Sequence, residues 1–186
     1  MINEIIKNYT REECIKTNNV FGTGFFEDHI LLVADYSKRL AERISADSEI
    51  VELASYLHDI AAVQDISSLA KHNLLSAEIA EKILCKWKYN DEKIDSVKKT
   101  IVSHMSPLKL SEASAEEVCL SNADAMSQIT RPVFWLYFVF SVRKLSYEDG
   151  RKWLIQRVEN NWKALVEPAK EIIEKEYLNV KEILNY

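Results

Sequence analysis

Glycine and proline are scarce in this sequence. The 186 residues include only three glycines and three prolines. These residues are the strongest interruptions of regular structure, and the long stretches between them carry apolar residues at helical spacing. The sequence therefore predicts an all-α fold. Because a chain of this length forms one large core and contains no linker-like segment, we expect a single domain over residues 1–186.

Cysteine is also rare. The three cysteines, Cys14, Cys85 and Cys119, are odd in number and far apart, and no two of them form a CxxC pair. Neither a disulfide framework nor a cysteine zinc site is indicated. A reducing, cytoplasmic environment fits this usage best, and the first residues lack the basic-then-apolar pattern of a signal peptide.

The sequence has no basic excess and no long apolar run. Twenty-four Lys and Arg against 29 Asp and Glu give a formal net charge of −5, the wrong sign for a nucleic-acid-binding surface. The most lipid-like segment, VFWLYFVFSV from Val133 to Val142, has about half of the roughly 20 residues that span a bilayer. We expect no nucleic-acid or membrane partner. This segment is interpreted as a core helix, with a homodimer face as the alternative.

The first half of the chain shows two amphipathic helices that carry polar residues on apolar faces. The first begins near Glu27, and its stripe steps by 4, 3, 4 and 4 through His29, Val33, Tyr36, Leu40 and Ile44. The second begins at Asp47 or Ser48, either of which can cap it, and is predicted to run through His58 and Asp59. DISSLA then breaks the pattern.

Further helices follow with recognisable starts. HNLLSAEIAEKILCKW is predicted to bury Leu75, Ile79, Ala80 and Ile83, with His72 just before that face. Asn90 caps a helix whose stripe ends at His104, and the pair Ser114 and Glu117 forms a capping box for a helix that carries Asp124. Beyond Pro132 we predict an aromatic helix, a break at YEDG, and a helical region from about 151 to 184 that is interrupted near Pro168.

Four side chains of metal-ligand type lie where these helices face the core: His29, His58, Asp59 and Asp124. Buried polar groups need partners, and facing helices can bring histidines and carboxylates together around a divalent metal. Adjacent residues on a helix point about 100° apart, so His58 and Asp59 share an ion most easily near a helix end, here the break after Val63. Each residue alone could equally be a hydrogen-bonded core histidine or a cap. Spacing by itself indicates no more than a candidate metal site.

The ordered set His29, then His58-Asp59, then Asp124 in LSNADAMSQI resembles the HD superfamily of metal-dependent phosphohydrolases, named for its His-Asp doublet. The resemblance spans about residues 28–129 and includes SYLHDI, HNLLSAEIAEKIL and VKKTIVSHM. It implies a helical bundle of the HD type, on which C-terminal helices at about 133–184 pack. It also implies that His29, His58, Asp59 and Asp124 hold a divalent metal.

The resemblance further implies a reaction. A divalent ion lowers the pKa of bound water and polarises a phosphoryl oxygen, so we expect hydrolysis of a small phosphorylated metabolite, with nucleotides among the candidates. His72 and His104 match positions that bind a second metal or the substrate phosphate in some members. They are therefore candidate catalytic and substrate-binding residues beside Asp59, while Asp65 is a candidate base. One ion is expected rather than two, and Mn, Fe, Co, Ni, Mg or Zn could serve.

The cation that meets the phosphate is less clearly indicated. A frequent version of the family has a glycine and a basic residue after the doublet, whereas HDIAAVQD has Ile60, Ala61 and Ala62. Lys71 and Lys109 are the candidates for reaching phosphate oxygens, although surface lysines are usually solvated.

Two other functions stay open on the sequence. Some relatives of this scaffold are di-iron oxygenases of small alcohols or phosphonates, which requires six ligands and hence both His72 and His104. The other is a non-catalytic, metal-containing binding module, against which the intact ligand set argues.

Overall fold

The structure is a computed structural model that describes residues 2–105 and 109–184. Within these residues the regular structure is entirely helical, which confirms the predicted fold class. No helix in the described ranges is long and apolar enough to cross a membrane.

In the described residues, ten α-helices follow one another, with three short helical segments of other types between them. The α-helices are α1 (Ile2–Cys14), α2 (Leu31–Ile44), α3 (Ser48–Leu57), α4 (Ile60–Gln64), α5 (His72–Lys86), α6 (Asp91–Ser103), α7 (Ala115–Thr130), α8 (Pro132–Tyr137), α9 (Tyr147–Ala164) and α10 (Glu167–Leu184). Phe26–Ile30 and Phe138–Val142 form π-helical turns, and Ile66–Lys71 forms a 3₁₀ helix.

The helix starts follow from side chains that accept backbone N–H groups. Asp47 accepts from Glu49 and Ile50 at the start of α3, and Asn90 accepts from Lys93 at the start of α6. Ser114 and Glu117 form both hydrogen bonds of the capping box at α7. Each cap satisfies backbone donors that the first turn leaves without partners, so these local predictions are confirmed.

One hydrophobic core extends from the N-terminal helices to the C-terminal ones. Helices α2 and α7 pack against each other at its centre, α3 packs on both, and α5 and α6 form a neighbouring pair. Helices α9 and α10 also pack against α7. The same cluster of buried residues includes Leu40, Val97, Leu120, Leu154 and Ile173. The C-terminal helices therefore share the core of the motif-bearing helices.

Two details of the predicted helices are wrong. YEDG is not a break but the first turn of α9, because Ser146 caps the helix by accepting the N–H of Asp149. Helix α5 does not bury Leu75, which is 37% exposed; its buried face is Ser76, Ala77, Ala80 and Leu84. The small residues on this face are part of the contact with α4, where Ser76 Oγ accepts the N–H of Ala61 at 3.1 Å.

The aromatic segment Val133–Val142 is two-sided. Phe134, Trp135, Phe138 and Val139 are buried, as the core interpretation expects. Val133 lies on the other side and is 77% exposed. The following helix approaches this segment closely at Gly150, where an added Cβ would lie 2.6 Å from Val139 Cγ1 and 2.5 Å from the ring of Phe140.

Replacing Gly150 with alanine should therefore destabilise the fold. The methyl group would push α9 away from Val139, which costs about 1–3 kcal/mol by overpacking and outweighs the gain in helix propensity. With the helix-propensity gain of about 1 kcal/mol subtracted, a net loss of about 1–2 kcal/mol should lower the Tm of thermal unfolding by about 2–8 °C, at about 2–4 °C per kcal/mol for a chain of this size. Lys152→Ala, at an exposed position of the same helix, is the control and should change stability by less than about 0.5 kcal/mol. An unchanged Tm in Gly150→Ala would contradict this account of the contact.

Candidate metal centre

Six polar side chains from separate parts of the fold meet at one end of the bundle. His29 lies in the π-helical turn before α2, and Asp124 lies in the middle of α7. His72 is the first residue of α5, and His104 follows the last residue of α6. His58 and Asp59 connect α3 to α4. The structure thus brings together all four predicted metal ligands and both additional histidines.

The doublet lies in a turn rather than within a helix. Helix α3 ends at Leu57, and Asp59 has φ −106° and ψ 5°, outside helical values. The predicted break after Val63 is present one residue later, where α4 ends at Gln64 and Asp65 is extended, but the chain already leaves the helical conformation at the doublet. This turn lets two adjacent side chains face the same point, which a continuous helix would oppose.

The first group of ligand atoms surrounds the Nε2 atom of His29. That nitrogen is 3.2 Å from His58 Nε2, 3.2 Å from Asp59 Oδ2 and 3.4 Å from Asp124 Oδ1. His58 Nε2 lies 3.3 Å from Asp59 Oδ2 and 4.0 Å from Asp124 Oδ1. Two imidazoles and two carboxylates therefore converge here.

A second group uses the other oxygen of Asp59. His72 Nε2 is 2.9 Å from Asp59 Oδ1 and 3.0 Å from His104 Nε2. His104 Nε2 is 3.8 Å from the same oxygen. Within each of the trios His29-His58-Asp59 and Asp59-His72-His104, one ligand atom per residue lies within 4.8 Å of the others. Asp59 belongs to both.

Hydrogen bonds on the far side of each ring fix which nitrogen faces the centre. The Nδ1–H groups donate to backbone carbonyls one turn earlier: His58 to Ser55 at 2.8 Å, His72 to Leu69 at 2.8 Å and His104 to Ile101 at 2.6 Å. His29 Nδ1–H donates to Ser127 Oγ at 2.9 Å, since that hydroxyl donates to the carbonyl of Asp124. In a neutral ring, the remaining Nε2 then presents a lone pair.

This arrangement fits a divalent cation. Four Nε2 atoms and the carboxylates of Asp59 and Asp124 face each other in a buried space, where lone pairs repel unless a positive charge lies among them. Imidazole nitrogens and carboxylate oxygens are ligands for Mn, Fe, Co, Ni and Zn, and the outer hydrogen bonds orient them as metal ligands are usually oriented.

Comparison with known proteins agrees with this geometry. The family model for the HD domain matches residues 26–129, more than half of the chain. The chain belongs to the HD domain family. The match begins just before His29 and ends five residues after Asp124, so it contains all six residues of the cluster. HD domains bind divalent metals, and the cluster described above is compatible with such an ion.

Two individual proteins are similar to this HD domain. An uncharacterized protein of Clostridium beijerinckii is 31% identical over 103 residues, which are 54% of this chain and 63% of that protein. A crystal structure of a predicted HD superfamily hydrolase from an uncultured Thermotogales bacterium has a TM-score of 0.59 at 22% identity. The structural match covers 92% of this chain and 91% of the Thermotogales chain, so the likeness in fold includes the C-terminal helices.

The electrostatics of the HD cluster favour positive charge where the doublet meets the other ligands. Burial lowers the pKa of His58, but the carboxylates of Asp59 and Asp124 outweigh it and raise this pKa to about 9. Burial raises the pKa of Asp59, yet its histidine neighbours hold it well below the usual range. His104 differs, because burial and then the charge of His58 lower its pKa to about 4. The cluster therefore keeps Asp59 ionised and able to hold a cation.

Two amides hold Asp124 from the side of the C-terminal helices. Gln128 Nε2 donates to both oxygens of Asp124 at 2.9 Å, and Asn161 Nδ2 of α9 donates to Gln128 Oε1 at 2.8 Å. These contacts fix the carboxylate and connect the cluster to α9. Sequence reasoning did not identify Gln128 or Asn161, because a polar residue on a helix normally indicates a solvated face.

Three predicted site residues lie elsewhere. Asp65 is exposed and caps the 3₁₀ helix through the N–H and hydroxyl of Ser67. Lys71 is exposed, and Lys109 is 77% exposed with Glu112 at 3.5 Å. Among the residues that the structure describes, none of the three lines the cavity above the cluster. The structure thus does not bring the candidate base or the candidate phosphate-binding lysines to the cluster.

A cavity of about 710 Å³ opens directly above the ligands. Its walls carry aromatic rings, two amides and two arginines, which are Phe21, Phe25, Trp135, Phe138, Trp153, Gln128, Asn161, Arg143 and Arg157. Trp153, Arg157 and Asn161 lie four residues apart on α9 and therefore share one face of the helix. This spacing is the feature of the sequence that could have indicated these wall residues. A volume of this size is typical of small-molecule sites.

Gln128→Met should weaken divalent-ion binding to this HD domain. The variant keeps the side-chain length but removes both hydrogen bonds to Asp124, and losses of such outer contacts typically cost about 10–100-fold in metal affinity. Titration of the metal-free protein with Mn²⁺ measures the change. Gln156→Met is the matched control, because Gln156 is exposed on α9 and donates a hydrogen bond to Asn160 rather than to a residue of the cluster. Equal Mn²⁺ affinity in wild type and Gln128→Met, with both folded, would remove Gln128 from the support of the centre.

Proposed function

We propose that this protein is a metal-dependent phosphohydrolase of a small phosphorylated metabolite, with nucleotides among its candidate substrates. One observation carries the proposal: two groups of inward-facing ligand atoms share Asp59 at the base of a cavity of small-molecule size. Membership of the HD family supports the same chemistry. We retain a cytoplasmic location as a prediction from cysteine usage.

The two ligand groups support two ions rather than the one expected from sequence. Asp59 directs Oδ2 to His29 and His58, and Oδ1 to His72. A carboxylate that offers one oxygen to each of two histidine groups is suited to bridging a pair of ions. Asp124 adds a carboxylate to the first group alone.

Bound divalent ions would lower the pKa of a water molecule and stabilise the charge that develops on a phosphoryl group during its hydrolysis. The chain's own contribution is to hold six ligands at fixed orientations and to limit their negative charge. Only Asp59 and Asp124 are carboxylates, whereas four ligands are imidazoles that are neutral when they bind metal. Two divalent ions would therefore leave the centre with a net positive charge, which favours a phosphoryl dianion at the cavity floor.

The same six ligands favour a second candidate function, a di-iron oxygenase of a small alcohol or phosphonate. That function requires both His72 and His104 at the centre, and the structure brings their Nε2 atoms to 3.0 Å from each other. Oxygen consumption by the iron-loaded protein, without phosphate release from any substrate tested, would favour the oxygenase. A metal-loaded protein that shows neither reaction would favour the binding module.

His72→Ala should remove one ion and leave the other. The variant disrupts the group of Asp59, His72 and His104, while the first group keeps His29, His58, Asp59 and Asp124. Metal analysis of protein reconstituted with Mn²⁺ should give about two ions per chain for wild type and about one for the variant. Lys82→Ala, an exposed position on the same helix, should retain two. One ion in both wild type and His72→Ala would reject the two-ion proposal.

Asp59→Ala should abolish phosphate release. Because this residue contacts both ligand groups, we expect a loss of at least about 100-fold. The assay measures phosphate released from a panel of nucleotides and phosphorylated metabolites with Mn²⁺, Co²⁺, Ni²⁺, Mg²⁺ or Zn²⁺ added. Asp95→Ala removes an exposed carboxylate on α6 and should be as active as wild type. Metal-loaded wild type that is as inactive as Asp59→Ala across the panel would contradict the proposal.

A further inference from the structure

Arg157 of α9 lies in the wall of the cavity above the metal ligands. Its guanidinium carbon is 4.5 Å from the ring centroid of Trp135 and 5.0 Å from that of Trp153. Attraction to two aromatic rings, together with their packing, restricts the orientation of a side chain that is usually mobile. The planar group is thus held in place before any ligand binds.

In the part of the chain that the structure describes, the charge of Arg157 has no carboxylate partner. Its guanidinium forms no ion pair within 4.0 Å there, and its buried Nε has no hydrogen-bond acceptor. Burial lowers the pKa of Arg157, and the carboxylates of Asp124 and Asp59 oppose that effect across the cavity. A partly buried cation without a counter-charge raises the free energy of the folded protein, and an anion bound beside it would reduce that cost.

A second arginine strengthens the case for an anionic ligand. Arg143 also lines the cavity, and its guanidinium lies 5.4 Å from the centroid of Trp153. Its charge lowers the pKa of Arg157, so two like charges act on each other around one space. Within the described ranges, these are the cavity-lining residues that keep a positive charge at all ordinary pH values. An anion in the cavity would relieve their repulsion.

The segment after the doublet cannot supply this charge. Ile60, Ala61 and Ala62 are apolar and buried, and Lys71 and Lys109 do not line the cavity. Arg157, by contrast, belongs to α9 and lines the cavity. Asp59 and Asp124 line the same cavity, so a phosphoryl group bound there would have both the ligand residues and the guanidinium in its walls.

We propose that Arg157 is the phosphoryl-binding cation of this site and that it selects substrates bearing a terminal phosphoryl dianion. This inference rests on the proposed function. The guanidinium fork can donate two hydrogen bonds to phosphoryl oxygens that do not contact the ions. Arg143, which is exposed at the cavity mouth, attracts the same anion from solution and contributes less to its binding.

Inorganic phosphate is the probe, and its affinity for the metal-loaded protein is measured by calorimetry. Arg157→Gln should weaken phosphate binding by about 10–100-fold, because charge-assisted hydrogen bonds are lost from a partly desolvated site. Arg157→Lys keeps the charge without the fork and should restore part of the affinity, and Arg143→Gln should have the smaller effect. The wild-type protein should also bind inorganic phosphate more tightly than dimethyl phosphate, a diester that is a monoanion.

Arg39→Gln is the matched control. Arg39 also lies over an aromatic ring, that of Tyr36 at 5.5 Å, and pairs with Asp35 at the surface at 3.6 Å. This variant loses the same charge and a similar ring contact and should bind phosphate like the wild type. Metal content and Tm are recorded for every variant, so a loss of phosphate affinity counts only at full metal loading. Where Arg157→Gln does not fold, Arg157→Lys decides.

The outcomes separate the two proposals. The role of Arg157 would be overturned if metal-loaded Arg157→Gln bound phosphate within about twofold of wild type. Where Arg157→Lys decides, the same result in that variant would overturn it. This conclusion would hold even when the wild type hydrolyses phosphoesters. Weakened phosphate binding in Arg157→Gln, with no hydrolysis by the wild type, would support the anion site and reject the proposed reaction. An active wild type in which Arg157→Gln raises KM in parallel with the phosphate dissociation constant would support both.

Discussion

The rest of the candidate site depends on the contacts of the Asp59 carboxylate, which both groups of histidines share. One oxygen faces His29 and His58 and the other faces His72. A carboxylate in this position has to remain ionised although its side chain is only 15% exposed, and its histidine neighbours keep its pKa well below the usual range. Movement of Asp59 would therefore disturb both ligand groups at once. The turn after α3 fixes its position.

Several helices cooperate to keep that turn in place. The N–H of Ala61, just after the doublet, donates to Ser76 on α5, so the helix that begins with His72 is connected to the segment that begins with Asp59. On the opposite side, Ser127 of α7 accepts from His29, and Gln128 and Asn161 connect Asp124 to α9. Each ligand is thus held by an element that also packs in the core. Rigid support of this kind is what a preorganised metal site requires.

The C-terminal helices have a role beyond completing the core. They place aromatic rings and two arginines over ligands that come from the N-terminal two thirds of the chain. The family model ends at residue 129, before these helices begin. The ligand set therefore belongs to the shared family pattern, whereas the upper wall of the cavity lies outside it. Differences in substrate between members with the same ligands can arise from such a wall, because function depends on the site more than on the fold.

Local physics explains what could be predicted. Caps at Asp47, Asn90 and Ser114 act within three or four residues, and the stripe that begins at His29 follows the helical period. These features could therefore be predicted from the sequence. The burial of α5 was not, because Leu75 is apolar yet exposed, and the inward face is set by close contact with α4. The start of α9 was missed for a similar reason, since Gly150 serves a tight contact with Val139 rather than a break.

The sequence by itself determined the helices, their caps and the kinds of ligand atoms that the chain can offer. Tertiary structure decided where the chain turns at the doublet and that His72 and His104 join the other ligands. It also decided that Arg157, rather than Lys71 or Lys109, lines the cavity. The physical reason is separation: Asp59 and Asp124 lie 65 positions apart, and Asp59 and Arg157 lie 98 apart. A periodic pattern shows which face of one helix is buried, but only the packing of several helices fixes what that face meets.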